Sequence, residues 1–169
     1  MIDLKEIKNK IITKNNLYCL CVISIIFFFD RYTKLLILNN FTEDTYYFND
    51  YLNFALVWNT GVGFGLFASN SSLIYNLITF LIGFIILALI YVTISSKNLD
   101  KFIFSIIIGG ALGNFYDRLT FNAVPDFIDL HYNSFHWFIF NVADIFISLG
   151  VFFMILLEII GKKKSNQNV

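Results

Sequence analysis

The feature that most constrains this chain is a set of four apolar stretches, each long enough to cross a lipid bilayer as a helix. A transmembrane helix needs about 20 mostly apolar residues to span roughly 30 Å of hydrocarbon. The stretches predict helices over residues 17–38, 73–95, 102–119 and 137–160. The chain is 57% hydrophobic and 14% charged, whereas a soluble domain is about one quarter charged. We therefore predict an all-α membrane protein in which residues 1–169 form a single membrane domain.

Lysines flank the predicted helices in a pattern that indicates their orientation. Lysines lie before the first helix, in the 96–101 loop and directly after the fourth helix. Because basic residues are enriched in cytoplasmic segments, these regions and both termini are predicted to be cytoplasmic. Segments 39–72 and 120–136 are then extracytoplasmic. The lysines form no basic stripe suited to nucleic acid, so we predict no nucleic-acid partner.

The lysine-rich start followed by an apolar run also resembles a secretory signal peptide. A cleavable signal ends in a small-x-small site, whereas residues 30–34 are Asp-Arg-Tyr-Thr-Lys. We therefore expect an uncleaved first helix.

Polar and ionisable side chains gather near one end of the predicted helices. Such groups cost roughly 2.5–3.5 kcal/mol each inside a bilayer on insertion scales. Counting about 1.5 Å per residue along the helices places the group towards the outer face of the membrane. Its members are Asp30, Lys34, Asn114, Asp117, Arg118, Asp126, Asn141 and Asp144. A short chain that accepts so many costly groups in one layer is predicted to use them.

The outer segment 39–72 is too long to be a simple turn. Residues 46–58 are rich in aromatic and β-branched side chains, which favours short strands. Since Trp and Tyr are favoured at membrane–water interfaces, we predict a small extracytoplasmic β-cradle on the membrane surface. The following glycines, Gly61, Gly63 and Gly65, indicate a close-packed backbone; without a strand–turn–helix context they do not predict a phosphate site.

Two aspartates near the fourth helix are the strongest candidates for chemistry. Asp144 lies at the polar layer, and Asp126 lies in the segment that precedes the helix. Two nearby carboxylates cannot both ionise easily, so they share a proton near neutral pH. The charged member can then take a proton from water while the protonated member donates to a leaving amine. This is aspartic protease chemistry; the alternative is that each side chain caps local backbone.

Two charged pairs in the same layer have a purely structural alternative. Asp30 and Lys34 are four residues apart, which predicts an ion pair within the first helix. Asp117 and Arg118 are neighbours that could neutralise each other.

A zinc site is the second chemical candidate. His131 and His136 lie near Asp126 and Asp129, but their spacing matches no helical HxxxH or HExxH pattern. We therefore interpret the histidines as interfacial side chains, and we predict neither a metal site nor a cofactor.

Five motifs, taken in order, resemble the bacterial lipoprotein signal peptidases (signal peptidase II), an aspartyl membrane protease family. The resemblance covers residues 17–160, and its last three motifs are the most specific. The motifs are Asp30-x-x-x-Lys34, Asn59-x-Gly61-x-x-Phe64, Gly109-Gly110-Ala111-x-Gly113-Asn114-x-x-Asp117-Arg118, Asp126-Phe127-Ile128-Asp129 and Phe140-Asn141-Val142-Ala143-Asp144. Gly63, Pro125 and Ile145 depart from the residues usual in the family, which puts fine geometry in doubt but not the reaction class.

The resemblance implies an aspartic endopeptidase of the bacterial cytoplasmic (inner) membrane, with its active site near the extracytoplasmic face. Such an enzyme removes signal peptides from prolipoproteins by cleaving on the amino side of a diacylglyceryl-modified cysteine. Its implied partners are these prolipoproteins and membrane lipids, and we expect a monomer.

The resemblance also implies roles for particular residues. Asp126 and Asp144 match the catalytic dyad. The residues that match substrate-binding or dyad-supporting positions are Asn59, Asn114, Arg118 and Asn141. Asp30 and Lys34 match a structural polar pair.

Two other classes of protein remain open on the residues alone. A proton-coupled transporter also carries intramembrane carboxylates, although these are expected near the midplane and at broken helices. A non-catalytic membrane assembly subunit would explain the charged pairs but not Asp126 and Asp144 together.

Overall fold

The computed structural model describes residues 13–41, 45–61, 71–96, 98–133 and 135–166. The predicted close packing at Gly63 and Gly65 lies outside these residues. In chain order the elements are α1 (Lys14–Asn40), β1 (Tyr46–Asn49), β2 (Leu52–Asn59), α2 (Ser72–Ser95), α3 (Asn98–Phe121), β3 (Val124–Tyr132), β4 (Phe135–Phe140) and α4 (Val142–Asn166).

Helix α3 is the central helix and packs against α1, α2 and α4. Its glycines allow the close approach. A Cβ atom added to Gly110 would lie 2.6 Å from the backbone oxygen of Ala143 in α4, and one added to Gly109 would lie 2.8 Å from Cβ of Ile26 in α1. Small residues bring helices together in this way in membrane proteins. The glycine-rich part of α3 therefore sets the distance between the helices that carry the polar layer.

The four strands form one antiparallel sheet in the order β1-β2-β3-β4. Helix α3 ends at Phe121, and the next residue, Asn122, has a φ of 55°, a left-handed conformation that asparagine tolerates after a helix. The chain then enters β3, whose first residues are buried. This connection places the start of β3, including Asp126, directly above α3.

The predicted start of the fourth helix at residue 137 is wrong. Residues 137–140 belong to β4, which pairs with β3, and the helix begins at Val142. A short aromatic and apolar run such as residues 137–140 is compatible with both a strand and a buried helix, so the sequence pattern could not distinguish the two. The other predicted helices lie within α1, α2 and α3, and β1 and β2 cover the predicted strand region.

Three of the described helices are long and apolar enough to cross a membrane: Ser72–Ser95, Leu99–Phe121 and Val142–Gly161. Large apolar side chains point outwards from them, such as Leu77, Phe80 and Phe84 in α2. A contiguous apolar surface of this kind needs a lipid environment. The structure is therefore that of a helical membrane protein with a small antiparallel sheet at one end.

Candidate active site

Asp126 is held in place by two asparagine side chains. Asn59 lies opposite Val124 in the β2–β3 ladder, which places it diagonally across from Asp126 on the same face of the sheet. Its Nδ2 donates to Oδ2 of Asp126 at 2.9 Å, and Nδ2 of Asn141 donates to Oδ1 at 2.6 Å. The carboxyl group of Asp126 is thus fixed through both of its oxygens.

The environment of Asp126 favours its protonated form. The residue is 2% exposed. Burial, followed by the charge of Asp144, raises the pKa of Asp126 to about 7, against the lowering effect of the hydrogen bonds from Asn59 and Asn141. Asp126 can therefore exchange a proton near neutral pH, which an isolated aspartate cannot do.

Asn141 joins Asp126 to Asp144. It directly precedes α4, and its Oδ1 accepts from the backbone N–H of Asp144 at 3.1 Å. In return, Oδ2 of Asp144 accepts from the backbone N–H of Asn141 at 3.2 Å. This reciprocal pair resembles a capping box and satisfies two backbone N–H groups at the start of α4. The predicted alternative that Asp144 caps its helix therefore holds, and the same cap places Asp144 beside Asp126.

Asn114 orients the other oxygen of Asp144. Its Nδ2 donates to Oδ1 of Asp144 at 2.8 Å, while its Oδ1 accepts from Nζ of Lys34 at 2.7 Å. Because an ammonium group can only donate, it fixes the amide so that its NH₂ group faces Asp144. Lys34 thus orients the amide that holds Asp144.

Four charged residues form a buried ion cluster beneath the two aspartates. Nζ of Lys34 lies 2.8 Å from Oδ2 of Asp30 and 2.7 Å from Oδ2 of Asp117, and Arg31 pairs with Oδ1 of Asp117. Two carboxylates and two cations make the cluster neutral, which limits the cost of burying it. Oδ1 of Asp30 also accepts from the backbone N–H of Ala143 at 2.9 Å, so α1 is tied to the first turn of α4.

The predicted intrahelical pair of Asp30 and Lys34 is present in this cluster, but mutual neutralisation of Asp117 and Arg118 is wrong. Adjacent residues on a helix point in different directions. Asp117 pairs with Arg31 and Lys34 of α1, whereas the guanidinium group of Arg118 contacts Gly61 and the ring of Tyr75. Arg31 was missed as a partner; the need of buried Asp117 for a cation was the only signal in the sequence.

Arg118 connects α3 to the end of β2. Its Nη2 donates to the backbone oxygen of Gly61, and its own backbone oxygen accepts from the hydroxyl of Tyr75 at 2.9 Å. Its Nε and Nη1 are buried and have no hydrogen-bond partner among the described residues. These two N–H groups could donate to a bound substrate.

An apolar groove runs beside Asp144. It has a volume of about 550 Å³ and lies between α4 and the β3–β4 hairpin. Its walls are mostly apolar or aromatic and include Leu130, Phe135, Trp137 and Leu149, with Asp144 at one side. An apolar segment or lipid chain that enters this groove would come directly against the carboxylate.

The structure separates one residue from the possible zinc site that the sequence suggested, which combined His131 and His136 with Asp126 and Asp129. Asp126 is engaged by Asn59 and Asn141, whereas Asp129 lies with His131 and His136 on the β3–β4 hairpin.

Fold and site together define a helical membrane protein in which asparagine amides fix two carboxyl groups, and one of these, that of Asp144, lines an apolar groove. The model of the family described as signal peptidase (SPase) II matches residues 22–160. The chain belongs to the signal peptidase II family and is a protease, which confirms the resemblance seen in its motifs.

The chain is also similar to curated relatives called lipoprotein signal peptidase. One from Pelagibacter ubique (strain HTCC1062) is 51% identical over 163 residues, which cover 94% of this chain and 98% of the relative. Another, from Anaplasma phagocytophilum (strain HZ), is 40% identical over 122 residues, which cover 70% of this chain and 75% of the relative.

Two solved structures, both described as bacterial membrane enzymes studied by the in meso method, share the fold. The one at 2.3 Å resolution has a TM-score of 0.74 and 30% identity, covering 88% of this chain and 90% of that chain. The one at 1.9 Å has a TM-score of 0.69 and 29% identity, covering 83% and 91%.

Proposed function

We propose that this chain removes signal peptides from prolipoproteins by cleaving on the amino side of a diacylglyceryl-modified cysteine, with Asp126 and Asp144 as its catalytic dyad. Family membership supports the reaction. The observation that carries the dyad is the position of Asn141, whose side chain donates to Asp126 and whose backbone N–H donates to Asp144.

The dyad performs hydrolysis by sharing one proton. The charged carboxylate takes a proton from a water molecule, whose oxygen attacks the scissile carbonyl carbon. The protonated carboxyl group donates to the carbonyl oxygen, which gives a neutral tetrahedral diol. As the C–N bond breaks, a proton moves to the leaving nitrogen and the second product keeps a carboxyl group. The raised pKa of Asp126 makes it able to hold the shared proton near neutral pH.

The neighbouring polar residues act as supports and substrate contacts. Asn59 and Asn141 hold Asp126, and Asn114 holds Asp144. The two unpartnered N–H groups of Arg118 are suited to a carbonyl oxygen of the substrate backbone. Lys34 and Asp30 act one step away, as structural residues that orient Asn114 and the first turn of α4.

In the proposed membrane arrangement, α1 crosses the membrane as a fourth helix beside the three apolar ones. Helix α1 carries Asp30, Arg31 and Lys34 inside the protein, and its other charged residue, Lys14, is the first residue of the helix, so the surface between can face lipid. The lysine distribution then puts both termini in the cytoplasm and the sheet at the extracytoplasmic face of the cytoplasmic (inner) membrane. The enzyme acts as a monomer, and the apolar groove receives its membrane-bound substrate.

The substrate requirement is tested with one purified prolipoprotein, prepared with and without the diacylglyceryl group. Incubation with the protein in detergent, followed by mass spectrometry, should show cleavage directly before the lipid-modified cysteine. The unmodified form should be cleaved far more slowly. Equal cleavage of both forms, or cleavage at another bond, would contradict the proposed substrate class.

A further inference from the structure

The β3–β4 hairpin carries a cluster of Asp129, His131 and His136 that the proposed reaction does not use. We propose that this cluster binds one zinc-class divalent metal ion, which clamps the hairpin that forms one wall of the apolar groove. The proposed metal site is separate from the dyad, and its test does not depend on whether the proposed hydrolysis is correct.

The strand register brings the three side chains together. His131 and His136 are direct partners across the antiparallel ladder, and their rings stack with centroids 5.1 Å apart and planes 20° apart. Asp129 precedes His131 by two residues on the same strand, so the two side chains share a face of the sheet. One donor atom from each residue lies within 4.8 Å of the other two.

A metal ion would need only a local adjustment of this geometry. With ligand bonds of about 2.0–2.2 Å, tetrahedral zinc places its donors roughly 3.4 Å apart. The side chain of His136 is 55% exposed, so its ring can turn to bring the donor atoms closer.

Two features of the cluster suit the binding of a cation. Asp129 is only 4% exposed, and its two oxygens lie 2.9 Å and 3.1 Å from Nδ1 of His136. Nδ1 of His131 is buried and has no hydrogen-bond partner among the residues that the structure describes. A buried polar nitrogen normally has a partner. A metal ion would satisfy this nitrogen and the carboxylate at once.

The donor set selects the class of metal. Two imidazole nitrogens with one carboxylate oxygen suit zinc and related transition metals, whereas magnesium and calcium prefer oxygen ligands alone. Three protein ligands leave a fourth position for water. His131 also lines the apolar groove, which connects the proposed metal to the wall of the substrate site.

The test is zinc binding by the full-length protein in detergent, followed by titration calorimetry. The protein must carry no histidine tag, because the chain has only two histidines of its own. We expect one zinc ion per chain and a visible absorption band typical of four-coordinate cobalt when Co²⁺ replaces zinc. An equal concentration of Mg²⁺ should not bind.

Variants connect the signal to the cluster. His131→Ala, His136→Ala and Asp129→Asn should each weaken zinc binding at least tenfold, whereas Asp100→Asn and the double variant Cys19→Ser/Cys21→Ser should bind as the wild type does. His136 is exposed, so His136→Ala should fold even if Asp129→Asn does not. No saturable binding to the folded wild type, or unchanged binding in His136→Ala, would overturn the proposal and leave only the hydrogen bond between Asp129 and His136.

Discussion

At the residue scale, Asn141 makes three separate contributions to the site. It caps α4, donates its side-chain amide to Asp126 and donates its backbone N–H to Asp144. These contributions can be separated, because serine retains a cap but cannot reach Asp126 in the same way.

We expect Asn141→Ser to keep most of the stability and to lower kcat by about 100-fold, the lower end of the contribution of the acid–base group that Asn141 positions. Asn141→Ala should lower kcat similarly and also lose about 1 kcal/mol of stability, because the cap is gone. Cleavage kinetics and thermal unfolding in detergent measure both effects. A Ser variant as active as the wild type would show that the amide does not position Asp126.

The raised pKa of Asp126 predicts that the folding stability of the protein falls as pH rises. Its pKa is raised from 3.8 to about 7 by burial, so the folded protein keeps a proton that the unfolded chain has already lost between these values. Where the folded state binds more protons, stability falls as pH rises. Ionising the buried carboxyl group therefore costs no folding stability near pH 4, and its full cost is reached above pH 7.

Asp126→Asn should remove this fall in stability between about pH 4 and pH 7 and raise Tm at neutral pH, although it abolishes cleavage. The matched variant Asp100→Asn, at the other end of the bundle, should keep the wild-type profile. Melting curves across this range provide the measurement. Parallel profiles for wild type and Asp126→Asn would show that Asp126 titrates normally.

At the scale of elements, the contact between α3 and α4 fixes where Asp144 lies. The Cβ of alanine at position 110 would meet the backbone oxygen of Ala143 at 2.6 Å, and backbone cannot move aside easily. We expect Gly110→Ala to cost about 1–3 kcal/mol, the usual range for overpacking, and to impair cleavage by displacing the start of α4.

Gly161 offers the matched control for this substitution. It also lies in α4, but no atom of the described residues is within 4 Å of an added Cβ. Gly161→Ala should therefore be neutral or stabilising by up to about 1 kcal/mol. Comparison of the two unfolding temperatures tests the packing account; equal effects of the two substitutions would contradict it.

The elements also show what the sequence could and could not predict. Long apolar runs located α1, α2 and α3, because helix length is set by the membrane. The start of α4 was misplaced because residues 137–140 pair with β3, a contact that no local pattern reveals. For the same reason, helical spacing rules passed over His131 and His136, which meet as cross-strand partners.

The residues of the candidate site that belong to sequence motifs could be predicted. Contacts between residues far apart in the chain could not. Asp126 and Asp144 were singled out from their place near the fourth helix, the family motifs added roles for Asn59, Asn114 and Asn141, and hydrogen bonds join all five in the structure. The partnership of Arg31 with Asp117 joins residues 86 positions apart and could not be inferred from neighbours in the chain.

At the scale of the whole molecule, the polar groups lie at one end of an apolar bundle. A transporter is expected to place such groups near the midplane, and the match to the signal peptidase II family removes that alternative. Lys34, Asp30 and Asp117 are fully buried, so the surface of α1 that faces outwards remains compatible with lipid.

The proposed topology makes a direct prediction for reporter fusions. A reporter fused after Val169 should be active only as a cytoplasmic reporter, and one inserted near Asp50 only as an extracytoplasmic one. The uneven distribution of lysines gives the reason for this orientation. The reverse pattern would place the dyad at the cytoplasmic face and contradict the proposed access of prolipoproteins.

The most direct test of the dyad is cleavage of a purified, lipid-modified prolipoprotein by the wild type, Asp126→Asn and Asp144→Asn, with Asp100→Asn as control. Both dyad variants should fold, since asparagine keeps the size of the side chain. They should lose activity by about 1,000-fold or more, because neither asparagine can take or give the shared proton. Asp100→Asn should cleave like the wild type. If either dyad variant keeps a tenth or more of the wild-type rate, Asp126 and Asp144 are not the catalytic pair.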